Sequence, residues 1–289
     1  MLTSTFRHVK GVGPSRERQL WLAGIRTWDD LLASAASGDP GFLPGIRGLS
    51  RKLQQRLAEE IAADRQALRR GDLEFLSTRL ARREHWRFYS HFKERAVFLD
   101  IETTGTDPGS SRVTVVGVHH PDQDPMVFID GYNLDDFPGY LEGDRLLVTF
   151  NGSSFDLPML TRHFGALRLP KALIDLRWVA FRAGFKGSLK QIERRVGISR
   201  NHDVQGMDGS DAVMLWRNWV VNNDERALEL LVGYNISDTM NLRPLLHILL
   251  DRIHQREFPW LEHRPFSEDD LVKEAFWVDP RELINRARR

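Results

Sequence analysis

Three short stretches of the sequence end in carboxylates at spacings that suit metal chemistry. They are Asp100-Ile-Glu102, Asn151-Gly-Ser-Ser-Phe-Asp156 and Tyr234-Asn-Ile-Ser-Asp238. A folded protein does not gather uncompensated negative charge without a cation to hold it. If the fold brings the stretches together, the simplest such cation is a pair of divalent metals, and paired metals most often catalyse phosphodiester chemistry.

Each stretch taken alone also has an ordinary structural explanation. Asp100 and Glu102 end an apolar run and would share one face of a strand, but strand ends often carry solvated acids. Asp156 comes just before a predicted helix and is explained equally well as its cap. Tyr234 and Asp238 are four apart on one helix face, and a core tyrosine beside a surface acid is the simpler account of them.

The bulk composition bounds the class of protein. The 289 residues suffice for one large domain, or for a medium domain and a small one, and 41% hydrophobic and 28% charged residues are ordinary for a soluble globule. No apolar run reaches the length of a membrane span, and residues 1–6 lack a secretory pattern. The absence of cysteine excludes disulfides, thiolate zinc sites and a cysteine nucleophile. We therefore expect a cytoplasmic protein without membrane contact, and no protein partner is predicted.

Charge is distributed unevenly along the chain. Residues 1–95 carry a net charge of +7, and residues 96–289 carry −6. This asymmetry favours a basic end that binds a polyanion and an acidic part that holds metals, with chance variation as the alternative.

Apolar periodicity predicts the elements that must position the acids. Strands are predicted over 96–101, 112–118, 126–129, 146–150 and 173–175, and helices over about 157–164, 176–183, 188–196, 210–221 and 224–253. Strands followed by alternating strands and helices indicate an α/β layer fold with a mixed sheet. Residues 1–70 are predicted to be helical, with glycine-rich turns.

Taken together, the three stretches resemble the exonuclease motifs of the ribonuclease H-like DEDD superfamily, in its tyrosine-bearing branch. The histidine branch would place His at position 233, which is Gly here. The wider match is similar to the YprB-type predicted exonuclease group and lies in Phe98–Gly105, Val148–Pro158, Ser188–Glu193 and Tyr234–Leu242. The resemblance covers about residues 95–250 and implies a ribonuclease H-like mixed five-stranded sheet flanked by helices.

The resemblance implies a metal-dependent 3′–5′ exonuclease acting on DNA or RNA. Asp100, Glu102, Asp156 and Asp238 would hold two divalent cations, and hard oxygen ligands select Mg²⁺ or Mn²⁺. Tyr234 would orient the attacking water, because a phenol with a pKa of about 10 is a poor base at neutral pH. The alternatives are an endonuclease or structure-specific nuclease on the same fold, and a nucleic-acid-binding module without turnover.

Five further residues are candidates for substrate contacts. Thr103 and Thr104 follow the first motif and would contact the terminal nucleotide. Asn151 and Phe155 would line the cleft, with Phe155 stacking on a base, and core packing is an equal alternative for Phe155. Lys190 would meet a phosphate or belong to a solvated helix face.

The basic N-terminal part contains a turn that resembles one helix-hairpin-helix motif. In that motif, turn amides and a helix N-terminus hold a DNA phosphate. The candidate anchor residues here are Lys10, Gly11, Gly13 and Arg16. A second turn over 45–50 matches more loosely, and protein contact is the alternative role for both turns.

These observations predict four regions. They are a helix-hairpin-helix-like helical domain over 1–72, a packed connector over 73–95, a ribonuclease H-like exonuclease domain over 96–253 and a C-terminal extension over 254–289. Residues 281–289 hold four arginines and one glutamate, a composition that predicts a disordered basic tail.

Overall fold

The computed structural model describes residues 1–37, 43, 46, 48–107, 109–261, 266 and 278–289. The chain divides into two compact units, Met1–Lys93 and Glu94–Arg289. The helices of the first unit are α1 Pro14–Leu22, α2 Trp28–Ala35, α3 Arg51–Arg70, α4 Leu73–Arg79 and α5 Tyr89–Phe92. Short 3₁₀ helices cover Leu2–Ser4, Arg82–Phe88 and Lys93–Arg95.

Local signals in the sequence account for the helix boundaries of the first unit. Thr27 and Asp30 form a capping box at the start of α2, and the Ser50 side chain accepts from the Leu53 amide at the start of α3. Gly71 ends α3 in the left-handed conformation with φ of 68°. The first unit contains all but the last two residues of the predicted connector, in which Trp86, Phe88, Tyr89 and Phe92 are buried.

The second unit is built on a five-stranded sheet. Its strands are β1 Ala96–Thr103, β2 Val113–His119, β3 Met126–Ile129, β4 Leu146–Thr149 and β5 Ala172–Asp175. The spatial order is β3-β2-β1-β4-β5, with β1–β2 and β2–β3 antiparallel and β1–β4 and β4–β5 parallel. The predicted α/β fold with a mixed five-stranded sheet is therefore confirmed.

Helices cover both faces of this sheet. They are α6 Phe137–Tyr140, α7 Asp156–Phe164, α8 Leu176–Ala183, α9 Leu189–Val196, α10 Gly209–Asn222, α11 Glu225–Glu257 and α12 Pro280–Ala287, and a 3₁₀ helix precedes each of α6 and α10. Val97, Leu99 and Ile101 of β1 pack into one apolar cluster that also holds residues of α7. Because strand side chains alternate, the intervening positions of β1 face α11, which packs against β1 and β2. None of the described helices combines the length and the apolar character needed to cross a bilayer.

The prediction of a disordered basic tail was wrong. Residues 280–287 form α12, and Leu283, Ile284 and Ala287 are buried in the cluster that contains β3 and α11. Arg288 donates to Glu225 at 2.7 Å and to the Tyr132 hydroxyl at 3.1 Å. The sequence pattern missed this helix because its arginines lie on the exposed side of an amphipathic segment.

Candidate active site

Asp100 and Glu102 lie on the α11 side of β1, near the end of the strand. Asp100 pairs with Gly117 of β2 and Glu102 pairs with Val115, and the register shifts directly after Glu102. Since the two acids are two residues apart on the strand, their side chains project from the same face of the sheet. Strand β4 pairs with β1 in parallel on the edge opposite β2, and the turn that follows β4 leads to Asp156.

The fold brings three of the predicted acids together. One carboxylate oxygen each from Asp100, Glu102 and Asp238 lies within 4.8 Å of the others. Glu102 and Asp238 are buried, and Asp100 is partly exposed. Burial, followed by the charge of Asp238, raises the pKa of Asp100 and of Glu102 well above the usual range of a carboxyl. Clustered oxygen ligands that repel one another fit a hard divalent cation.

Asp156 lies next to this triad without joining it. It is the first residue of α7 and is 4% exposed. Its charge contributes to the raised pKa of Asp100 and of Glu102. Burial, with a smaller contribution from Asp175, raises the pKa of Asp156 itself to about 7. The fourth acid is therefore buried beside the triad and offers a further oxygen ligand at its edge.

Asp175, at the end of β5, organises the turn that carries Asp156. Its carboxylate accepts from the Asn151 amide at 2.8 Å and from the Ser153 amide at 3.1 Å. It also caps α8 by accepting from the Arg177 amide at 3.1 Å. Asn151 adopts a left-handed conformation with φ of 66°, which asparagine tolerates better than most residues. Asp175 thus fixes both the turn that leads to Asp156 and the start of α8.

Tyr234 lies on α11 beside the acids, with Lys190 against it. The Lys190 ammonium donates to the phenol oxygen at 2.6 Å and lies 4.3 Å from the centre of the ring. It also donates to the Met207 carbonyl. Burial and then the charge of Asp238 raise the pKa of Tyr234 above its ordinary value, whereas burial lowers the pKa of Lys190. Lys190 is thus a partly buried partner of Tyr234 and not a solvated side chain.

The sequence prediction missed an arginine that balances part of the negative charge. Arg200 forms ion pairs with Asp238 and, at 2.7 Å, with Glu193. Its side chain is only 8% exposed, and Asn241 donates a further hydrogen bond to Glu193 at 3.1 Å. Glu193 lies in the Ser188–Glu193 motif of the sequence. No spacing pointed to Arg200, which follows the glycine that ends α9.

A second missed residue, Asn235, joins α11 to β1. Its Nδ2 donates to the Asp100 carboxylate at 3.0 Å and to the Asp100 backbone carbonyl at 3.2 Å. A Cβ at position 117 would lie 2.2 Å from Asn235 Oδ1 and 2.6 Å from Thr239 Oγ1, so this close approach requires glycine. Asn235 is three residues before Asp238, and this helical spacing was a signal that could have placed both on one face.

The remaining substrate candidates make contacts within their own turns and clusters. The Thr103 hydroxyl donates to the Gly105 carbonyl at 2.6 Å, and the Thr104 hydroxyl accepts from the Arg112 amide at 3.1 Å. Phe155 is partly buried against the apolar cluster of β1 and α7, which favours its packing role. Their contacts to substrate, like the cleft-lining role of Asn151, stay predictions.

The candidate anchor residues surround the turn before α1. Gly11 has φ of 99°, and Gly13 precedes α1 at its N-cap position. Arg16 donates to the Gly11 carbonyl, and the Lys10 carbonyl accepts from Arg56. Before this turn the described chain forms only the 3₁₀ helix Leu2–Ser4, so a helix-hairpin-helix motif is not shown. Positions 45 and 47 of the second predicted turn lie outside the described residues.

The fold and the site agree with a family match over more than half of the chain. The sequence model of the RNase_H superfamily matches residues 97–250. The chain therefore belongs to the RNase H superfamily. A search of curated protein sequences found no match.

Comparison with solved structures found several similar chains. One is the family B DNA polymerase from the hyperthermophilic archaeon Pyrobaculum calidifontis, with 19% identity and a TM-score of 0.42 over 54% of this chain and 24% of the polymerase. The chain thus spans about a quarter of the length of that polymerase. Another is Brucella melitensis NrnC with bound Mg²⁺, with 22% identity and a TM-score of 0.41 over 58% of this chain and 77% of NrnC. The Aedes aegypti Nibbler EXO domain has 16% identity and a TM-score of 0.32 over 71% of this chain and 91% of the domain.

Proposed function

We propose that the protein is a metal-dependent 3′–5′ exonuclease of DNA or RNA, of the tyrosine-bearing DEDD type and the YprB-type group. The observation that carries this proposal is the convergence of Asp100, Glu102 and Asp238, whose oxygens lie within 4.8 Å of one another, beside Tyr234. Membership of the RNase H superfamily supports a nuclease. The sequence motifs, with Tyr at 234 and Gly at 233, support the branch and the direction of cleavage.

The acids of the site have distinct contributions to metal binding in this proposal. Asp100, Glu102 and Asp238 would hold one divalent cation, and Asp156 would complete the ligand set for a second, with Mg²⁺ or Mn²⁺ as the ions. When bound, the cations neutralise charge at the scissile phosphate and activate water. Asn235 holds the Asp100 carboxylate in place, and Arg200 does the same for Asp238.

Tyr234 acts by hydrogen bonding and not as a base. Its raised pKa keeps the phenol protonated at neutral pH. Lys190 already donates to the phenol oxygen at 2.6 Å, so the hydroxyl proton is available for the attacking water or the phosphate. A protonated, fixed phenol can orient a reactant, which agrees with the positioning role predicted from the sequence.

The first unit is proposed to anchor nucleic acid. The net charge of +7 over residues 1–95 and the exposure of the residues Lys10, Gly11 and Gly13 support this role. Lys10→Glu should weaken binding of a long strand and reduce its salt dependence, because each lost phosphate contact lowers the slope by about one unit. Unchanged affinity and unchanged salt slope for this variant would remove the support for the anchor.

End-labelled substrates test the activity. A 5′-labelled single strand should yield a ladder of successively shorter products in Mn²⁺, and a strand blocked at both ends should stay intact. Asp100→Asn should lower the rate by about 10²–10³-fold, because it removes a charged ligand at nearly constant shape. The matched control, Asp122→Asn, changes an exposed acid and should leave the rate unchanged.

Other outcomes of this assay point to the rival functions. Internal cuts on the doubly blocked strand would identify an endonuclease. Binding of the strand without any metal-dependent product would identify a non-catalytic nucleic-acid-binding module.

A further inference from the structure

A groove of about 920 Å³ lies beside the candidate active site, at the ends of β4 and β5. Its walls include Arg177, Trp178 and Phe181 of α8, the segment from Phe185 to Ser188, and Asn151. Trp178 and Phe181 are three residues apart on α8, hence on one helix face, and are 57% and 58% exposed. Large aromatic side chains are rarely left this exposed side by side without a ligand to cover them.

Positive charge accompanies these rings. The Lys186 ammonium lies 5.5 Å from the ring centre of Phe181, and the Arg252 guanidinium lies 4.7 Å from that of Phe185. Arg177 donates to the Asn151 side chain at 2.6 Å. None of the described residues that line the groove is acidic. An occupant that suits flat apolar faces and cations together is an anion with aromatic rings.

Two residues that line the groove are close in sequence to residues of the candidate active site. Asn151 belongs to the groove and begins the turn that leads to Asp156. Ser188 also lines the groove and caps α9, whose second residue, Lys190, donates to Tyr234. A polymer bound at the acids would therefore find aromatic and cationic side chains next along its path.

We propose that this groove is a stacking subsite that receives one or two unpaired bases of the substrate strand. Trp178 and Phe181 stack on the bases, and Arg177 and Lys186 attract the adjoining phosphates. Stacking on aromatic side chains tolerates any base, since every base has a π-face. The subsite therefore selects single-stranded over double-stranded nucleic acid without reading sequence. The proposal rests on the exonuclease function proposed above.

Fluorescence with 2-aminopurine tests the subsite in the full chain. Single strands of DNA and of RNA carry the probe at successive positions from the 3′ end. The Asp100→Asn protein in Mg²⁺ is used because its turnover is slow compared with the binding measurement. Stacking should quench the probe at one or two adjacent positions only. Equal fluorescence at all positions would overturn the proposal.

Substitutions give an independent measurement. Trp178→Ala and Phe181→Ala should each weaken single-strand binding by about 5- to 150-fold. Trp178→Phe and Phe181→Tyr should restore most of the affinity. Met214→Ala, which removes an equally exposed apolar side chain from α10, should change nothing. Unchanged affinity of both alanine variants, with unchanged thermal stability, would contradict the subsite.

The outcomes separate this inference from the proposed activity. If the unsubstituted protein shortens strands from the 3′ end but Trp178→Ala and Phe181→Ala leave its KM unchanged, only the subsite proposal fails. If no product forms although binding depends on the rings, the subsite stands and the exonuclease proposal fails.

Discussion

The Asn235 side chain donates to Asp100 twice, at 3.0 Å to the carboxylate and at 3.2 Å to the backbone carbonyl. These two bonds connect the N-terminal part of α11 to β1, the strand that carries the first motif. Asn235 is fully buried, and both bonds are partly shielded from water, which strengthens them. The orientation of Asp100 therefore depends on the seating of α11 against the sheet.

Gly117→Ala should disturb this contact. The new Cβ would lie 2.2 Å from Asn235 Oδ1, so either α11 or the asparagine must move. We expect a loss of about 1–3 kcal/mol in the free energy of unfolding, measured in urea, together with a lower kcat. The matched control is Gly139→Ala in α6, where a Cβ meets no atom within 4 Å. A variant at 117 as stable and active as the control would show that the close approach is unimportant.

The stability of the cation-free protein should fall as the pH rises. Folding raises the pKa of Asp156 to about 7, from about 3.9 in an unfolded chain, so the folded state holds a proton that the unfolded state releases. The stabilisation that this proton supplies is fully present below about pH 4 and is lost as the pH rises through 7. The raised pKa of Asp100 and of Glu102 acts in the same direction.

Urea unfolding in EDTA at several values between pH 5 and pH 8 measures this dependence. Asp156→Asn should flatten the profile, because the amide cannot titrate. Mn²⁺ should stabilise the protein more at pH 8 than at pH 5, since deprotonated carboxylates bind the cation. A stability that rises with pH in EDTA would contradict the burial of these acids.

Arg200→Met should destabilise the fold strongly. The substitution removes the guanidinium that pairs with both Glu193 and Asp238 and leaves two buried carboxylates unpaired. We expect the free energy of unfolding to fall by about 3–5 kcal/mol. Arg286→Met is the control, because its ion pair with Glu282 is exposed and should contribute less than about 1 kcal/mol. Urea unfolding of both variants measures the difference. Similar small losses in the two would mean that Glu193 and Asp238 do not need this arginine.

Lys190 and Tyr234 should act as one unit in catalysis. Lys190→Met removes the donor to the phenol oxygen, and Tyr234→Phe removes the oxygen itself. We expect each to lower kcat and the double variant to lower it little further, with a coupling of about 0.5–3 kcal/mol. Steady-state kinetics of the four proteins measures the coupling. Multiplicative effects of the two substitutions would show that the bond has no part in turnover.

The sequence by itself predicted the five strands of the second unit, their mixed sheet and the helices α7 to α11. The apolar run at 96–101 and the alternation of strands and helices after residue 146 follow from burial and periodicity, which are local properties. The spacing of Asp100 and Glu102 likewise fixed their shared face, because side chains on a strand alternate. The α12 helix escaped prediction, since its stability comes from packing on α11 and β3 and not from its own composition.

Only the tertiary structure decided which side chains meet. The pairing of Lys190 with Tyr234, of Arg200 with Asp238 and of Asn235 with Asp100 joins residues that are 38 to 135 positions apart. Such contacts depend on how α11 packs against β1 and against α9, and no local spacing encodes that packing. The acids were visible in the sequence because a metal site needs several of them. The side chains that position these acids were not visible, because a single buried amide or guanidinium is enough for each acid.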